Sequence, residues 1–380
     1  MTARPYSADQ LRRATLRRQF PRVRGRGRAA VTEVVRRTGP IQSQAPRAPL
    51  VGVAARLPGV PYDAIAEAFD THDIVKASNI RGTVHVCVRE QFPLLDAVTR
   101  RTLESGLRKI LNLQRLDVAD IRAEIERWLG DDWRLESDLT DHLTSWLEAN
   151  DSAESATASK ESSARFQLRG YSALIRRPSN GAWEMRSPWL LRHAPPLLGT
   201  PVVDADTALD GLVRVHVGAY GPSTRDDIAW WSGEGLTRID AAIARLGDEL
   251  VRRPGPGGAT YFDLAEPPPG GPPDPGLRLL PEFDALVLGY HPKGRVRFLD
   301  PAHVEMIWNR ANGMFSPTVL YDGRLVGLWR LVGTGRRRDV EIWPLPGESQ
   351  PPEGAFAGPV EGLATALDVE VRDLKLTAGR

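Results

Sequence analysis

Two glutamines, Gln42 and Gln44, stand two residues apart in the proline-bounded segment GPIQSQAPRAP, residues 39–49. In extended backbone that spacing points both side chains the same way. A second segment, RGTVHVCV at 81–88, puts Val84, Val86 and Val88 on one face. Arg81, Thr83, His85 and Cys87 fall on the other. Brought together, an amide pair, an arginine, a threonine and a histidine could line one polar cleft.

A neutral amide is a poor base and does not carry off a proton as a carboxylate does. Its carbonyl can hold a water molecule and orient it. That suffices when the bond to be broken is already weak, as in a purine made cationic by alkylation at N7 or N3. Such a glycosidic bond breaks through an oxocarbenium-like sugar. Two aligned carbonyl dipoles can stabilise that cation and position the attacking water. The same pair is too weak for an uncharged base, so the choice of glutamine would supply selectivity. The other reading is that Gln42 and Gln44 satisfy backbone groups in a proline-rich turn. His85 can likewise be structural. Arg81 and Thr83 can contact phosphate or cap the strand, and Asp284 in PEFD can be a cleft carboxylate or a turn cap.

Other chemistries find little support. The seven histidines are scattered and have no cysteine partners, so no metal site is expected. No phosphate loop, dinucleotide glycine pattern or nucleophile elbow stands in the chain. No cofactor is expected. A Schiff-base step needs a placed lysine. Of five lysines, Lys76 is the one candidate near the glutamines.

The elements that must position these residues read as an α+β chain of tandem winged-helix units. In the first, residues 1–110, SADQ at 7–10 forms a capping box. It opens a helix with Arg12, Arg13, Arg17 and Arg18 exposed along it. Helices at 29–37 and 61–75 follow, and then strand 83–88 as a wing. The second unit, 111–204, has helices IRAEIERWL and LTDHLTSWLEA, a polar linker at 150–164, and a hairpin at 173–185 with Asn180-Gly181 near its turn. The third, 205–265, shows capping boxes at Ser223–Asp226 and Thr237–Asp240, with Gly233 and Gly235 between the helices. Ile239, Ile243, Leu246 and Leu250 recur at helical spacing, and ATYFDL is a wing strand. EPPPGGPPDPG, 266–276, is a stiff boundary loop. Residues 277–380 are β-rich: LVLGY is a strand, Asp322-Gly323 turns a hairpin, GTGRRR at 333–338 is a second tip, and PVEGLATALDVEV is a terminal helix.

Composition bounds the partners. A chain of 380 residues holds two or three domain-sized units. Its apolar runs fall short of the roughly 18 residues that suggest a membrane span, and MTARPYSADQLRR lacks the apolar core of a signal peptide. The single cysteine, Cys87, fits a buried strand thiol in a reducing cytoplasm. Net charge is only +2, but residues 1–30 carry nine arginines against Asp9 alone, and Arg336, Arg337 and Arg338 are consecutive. Two such patches suit a nucleic-acid footprint or, equally, solvated arginine-rich faces.

The two opening motifs, with AYGPSTRDDIAWWSG (219–233), LLPEFDALVLGY (279–290) and NGMFSPTVLYDGRLVGLW (312–329), resemble the AlkZ-type DNA glycosylases. That bacterial winged-helix family carries a catalytic Gln-x-Gln. The blocks span most of the chain, and their order and spacing make the match specific. The resemblance implies a C-shaped scaffold around a central channel, with Gln42 and Gln44 catalytic. It brings Arg81, Thr83, His85 and Asp284 in as candidate lining. Arg12, Arg13, Arg17, Arg18, Arg336, Arg337 and Arg338 become candidate contacts for double-stranded DNA with alkylated bases. It implies a monomer that excises cationic N-alkylated purines, bulky adducts or crosslinks in base excision repair or antibiotic self-resistance. The GTGRRR tip would then lodge in the minor groove, where negative potential is focused, or remain a solvated turn. The alternative is a non-catalytic winged-helix DNA-binding regulator, against which stands the lack of a heptad dimerisation helix. The basic clusters disfavour a third reading, a small-molecule hydrolase.

Overall fold

In the computed structural model, which describes residues 4–311 and 313–377, Ser7 and Gln10 cap each other as expected. The Gln10 amide donates to Ser7 Oγ and the Ser7 amide to Gln10 Oε1. Helix α1 (Ala8–Gln19) starts there. Arg13 and Arg17 are exposed along it, and Arg12 is partly so. Arg18 is not, contrary to expectation. It shares a face with Leu11 and Thr15 by helical spacing, and all three are buried. Its guanidinium donates to Val217 O and Asp263 Oδ1, each at 2.6 Å. Arg18 therefore ties α1 to a later helix.

Helix α2 (Arg28–Thr38) ends at Gly39, φ 80°. A Cβ there would lie 2.8 Å from the Tyr220 hydroxyl, so only glycine fits this exit. The chain then forms β1 (Ile41–Gln42), α3 (Ala48–Arg56), α4 (Tyr62–Asp70), β2 (Ile74–Ser78) and β3 (Val84–Val88). Sequence pattern gave no sign of α3. All nine of its residues are buried, so it has no polar face and no period to detect.

Next come α5 (Phe92–Leu111), α6 (Val118–Leu129), β4 (Arg134–Leu135) and α7 (Glu136–Asn150). The segment expected as a polar linker is helical: α8 (Ala153–Ser159) and α9 (Ser162–Tyr171) fill it. Asp151 fixes its start by accepting from the backbone amides of Gln114, Arg115 and Leu116. Strands β5 (Leu174–Pro178) and β6 (Trp189–His193) follow as the expected hairpin, with a longer turn. One six-stranded sheet then runs β1-β3-β2-β5-β6-β4. The strands of the first two sequence units are thus joined in a single sheet. Its faces feed different cores. Val75, Ala77 and Cys87 pack into one apolar cluster, and Ile74, Val86 and Val88 into another. That is the period-two alternation of paired strands.

After α10 (Ala194–Leu198) and α11 (Ala205–Tyr220) comes a helix, turn, helix and hairpin: α12 (Arg225–Ser232), α13 (Leu236–Leu246), β7 (Leu250–Pro254) and β8 (Thr260–Leu264). The first cap is one residue later than expected, with Thr224 and Asp227 as the reciprocal pair. The second expected box is absent, because Gly235 occupies the N-cap and offers no side chain. Ile239, Ile243, Leu246 and Leu250 are buried as the spacing requires.

The remainder is β9 (Arg278–Leu280), α14 (Ala285–Leu288), α15 (Val304–Ile307), β10 (Trp308–Asn309), β11 (Met314–Phe315), β12 (Thr318–Tyr321), β13 (Arg324–Val332), β14 (Arg337–Pro344), α16 (Ala357–Leu367) and β15 (Glu370–Leu376). A five-stranded sheet runs β15-β14-β13-β12-β9. LVLGY forms the short helix α14 rather than a strand. Period cannot separate the two in so short a buried run, and the Asp284 carboxylate caps the Leu286 amide. The terminal helix stops at Leu367, and the rest of that segment becomes β15, parallel to β14. The second hairpin tip is shorter than expected, since Arg337 and Arg338 lie within β14. The block 312–329 begins at Asn312, outside the described residues. Among these, no helix is long and apolar enough to cross a membrane.

Candidate active site around the glutamine pair

Strand β1 is two residues long, and Gln42 is its second. Ile41 pairs with Val86 and Gln42 with His85. Directly opposed residues of an antiparallel pair share a face. Gln42 and His85 therefore stand together, while Ile41 and Val86 point into the core behind them. The Ser43 amide donates to Val84 O at 2.7 Å and fixes the register. Gln44 follows two residues on, and Gln42 Nε2 donates to Gln44 Oε1 at 2.8 Å.

This bond divides the pair. Gln44 is exposed and its carbonyl accepts from Gln42. Gln42 is buried, and among the described residues its own Oε1 has no hydrogen-bond partner. A buried acceptor without a partner costs about 1–3 kcal/mol, and each such atom in a folded protein calls for an explanation. The two carbonyls thus do not act alike: one is engaged in holding the other.

His85 Nδ1 lies 3.0 Å from Thr83 O. A carbonyl only accepts, so Nδ1 carries the hydrogen and Nε2 is left as an acceptor. Burial, reinforced by the Arg81 charge, pushes the imidazole down to about 3. His85 is therefore neutral near pH 7. Thr83 Oγ1 donates to Ile80 O, turning the chain into the strand.

Arg81 is not on the strand but in a single turn before it, at φ 53°. Its guanidinium donates to Trp231 O at 2.7 Å and lies 4.6 Å from the Trp230 ring centroid. Arg295 lies 4.7 Å from the same ring. Burial lowers both arginines to about 10, which leaves both charged at neutral pH, and among the described residues no carboxylate offsets either. Two cations thus lie against the Trp230 ring, whereas Trp231 is core. Nothing in HPKGRVRF marked Arg295 beforehand.

Asp284 is buried, with both oxygens on Arg56 at 2.9 and 3.2 Å and one also on the Leu286 amide. It is a cap and a buried ion-pair partner. Its neighbour Glu282 accepts from Arg47 at 2.6 Å, leaving Oε2 buried and unpartnered among the described residues. Arg47 follows Gln44 by three residues, so this pair connects the glutamine turn to the PEFD turn. Arg12 and Arg13 both pair with Asp9. Arg336 pairs with Asp368 and Arg337 with Glu370, while Arg338 is half-buried. The consecutive arginines are therefore partly neutralised by acids brought in from beyond α16. No group of three or more metal-binding side chains occurs among the described residues.

A family model described as DNA glycosylase AlkZ-like matches residues 35–375. An interstrand DNA cross-link repair glycosylase from Streptomyces sahachiroi is 30% identical over 171 residues. That alignment spans 44% of this chain and 44% of the relative. The solved structure of Streptomyces sahachiroi DNA glycosylase AlkZ has the same fold, with a TM-score of 0.80 at 22% identity, over 98% of this chain and 100% of that one.

Proposed function

The chain belongs to the AlkZ-like DNA glycosylase family, and from that premise we propose that it hydrolyses the glycosidic bond of cationic N-alkylated purines in duplex DNA. The observation that carries the reading is Gln42 Oε1, a buried acceptor without a partner beside a neutral histidine. Gln44 holds the Gln42 amide by its Nε2 hydrogen. The Gln42 carbonyl then accepts from the attacking water and faces the developing positive charge of the sugar. Bulky adducts and interstrand crosslinks are candidate lesions, in keeping with the name of the Streptomyces relative. The proposed enzyme acts as a monomer built of three winged-helix units. The test is duplex DNA carrying N7-methylguanine, incubated with the protein and heated in alkali. Strand cleavage at the lesion supports excision. Binding without cleavage favours a DNA-binding protein that does no chemistry.

His85 should not titrate in the working range. The expected excision rate is flat from about pH 6 to 8. Its folded value is below the ordinary 6.5, so it adds stability above 6.5 that is lost as pH falls toward 3. An inflection near neutrality that disappears in His85→Asn would contradict this protonation state.

The expected chemistry is monofunctional. Lys76 pairs with Val86, on the face opposite Gln42 and His85. Borohydride should therefore trap no protein–DNA adduct. An adduct that vanishes in Lys76→Ala would overturn the assignment.

Salt dependence separates the arginines. If Arg13 and Arg17 contact phosphates, each alanine substitution reduces the slope of log affinity against log salt by about 0.9. Arg12 and the paired Arg336 and Arg337 should each contribute less, and Arg338, half-buried, least. If the hairpin tip also seats the lesion, replacing 336–338 by alanine slows single-turnover excision at saturating protein. Loss of affinity alone leaves it an electrostatic patch. Arg18→Ala should lower stability rather than the slope.

A further inference from the structure

Strands β2 and β5 join the two halves of the six-stranded sheet, and their ladder registers at one pair, Ala77 with Ile175. Beside that seam is a cavity of ≈ 150 Å³. Lys76 from β2 and Arg176 from β5 line it, and they are 2% and 5% exposed. Lys76 Nζ lies 4.6 Å from the Trp189 ring centroid, with no carboxylate in ion-pair range among the described residues. Arg176 donates to Ser78 Oγ at 2.6 Å, while its Nε is buried without a partner among the described residues. Arg177 also lines the cavity and stacks on Trp133. One lining carboxylate opposes these three cations. It is Asp70, which accepts from Trp183 Nε1 at 3.4 Å.

Burial, and then the Arg176 charge, push the Lys76 amine down to about 7. Two adjacent cations taken out of water cost free energy unless an anion joins them. Phosphate fits the donor set, since it offers several acceptor oxygens and close to two negative charges. We propose that this cavity is a binding site for a phosphate-type oxyanion, held between the Lys76 ammonium and the Arg176 guanidinium. The anion is an inorganic phosphate or the terminal phosphate of a nucleotide or DNA end. Lys76 and Arg176 stand on the sheet face away from Gln42 and His85, and the proposal does not depend on the proposed hydrolysis.

The test uses the full chain labelled with ¹³C at the lysine ε-carbons. The Lys76 signal is titrated with pH in chloride, in inorganic phosphate and with a 5′-phosphorylated dinucleotide, at matched ionic strength. Binding raises the apparent Lys76 pKa by about one unit or more, a tenfold preference for the charged amine. Melting temperature should rise with the same ligand in the parent protein and not in Lys76→Met, which removes the amine without shortening the stem. The ligand that gives the larger shift identifies the source. An unshifted Lys76 titration with both ligands overturns the proposal. So does an equal thermal response in Lys76→Met. The titration needs only the parent protein, so a variant that fails to fold leaves the proposal testable.

Discussion

Replacing Gln42 by alanine should reduce excision of N7-methylguanine by about 10²–10³-fold, the usual loss when one positioned dipole is removed from a reacting centre. Single-turnover kinetics at saturating protein measure it. Gln44→Ala should also slow excision, because it frees the Gln42 amide to rotate. It should leave the melting temperature unchanged, since Gln44 is exposed. Gln42→Ala removes one hydrogen bond, about 1 kcal/mol, together with an unpartnered acceptor whose loss offsets part of that. Stability should therefore change little in either variant. The double variant should be no slower than about tenfold below Gln42→Ala if the two act as a unit. Full activity in the double variant would remove the glutamines from the mechanism. So would a loss of activity that merely follows a loss of folded protein.

The largest expected effect on stability lies at Asp284 and Arg56. Their side chains are 3% and 2% exposed. Arg56 also donates to Gln19 Oε1 at 3.0 Å, and Gln19 Nε2 in turn donates to Thr38 O and Ala219 O, each at 2.9 Å. This chain of bonds holds the end of α2, and so the turn into β1, against the rest of the molecule. Asp284→Ala leaves a buried guanidinium without its counter-charge and should cost about 3–5 kcal/mol in urea unfolding. Replacing both partners by apolar residues should cost far less. At a temperature where Asp284→Asn remains folded, excision should persist. A folded but inactive Asp284→Asn would instead make Asp284 a group of the reaction cleft. A loss below about 1 kcal/mol in Asp284→Ala would mean that the pair is not the brace described.

Some of this was open to reading in the linear chain. The Ser7–Gln10 box, the Asp322-Gly323 turn and the Ile239, Ile243, Leu246 stripe are local, because each depends on residues within a few positions of one another. The alternation in 83–88 was equally visible. Two cores on opposite sides of the sheet read it as expected, with Cys87 buried in apolar surroundings. The spacing of Gln42 and Gln44 alone made them a candidate pair, and a resemblance spread over most of the chain gave the pair a chemistry.

Long-range contacts decided the remainder. Helix α3 was invisible because burial on every side erases the amphipathic signal. LVLGY became α14 because Asp284 is fixed by Arg56, which is far from it in sequence. Arg18 looked like a surface charge until Asp263 and the Val217 carbonyl came to meet it. Arg336 and Arg337 looked like a free cationic tip until the parallel strand β15 laid Glu370 beside them and Asp368 preceded it. The inequality of the glutamines, one buried acceptor and one exposed holder, arises only when β1 docks on β3. Residue types and spacing thus singled out candidate groups for the proposed chemistry. Which of those groups are charged, buried, paired or unpartnered depends on neighbours that the folded chain alone brings within a few ångströms.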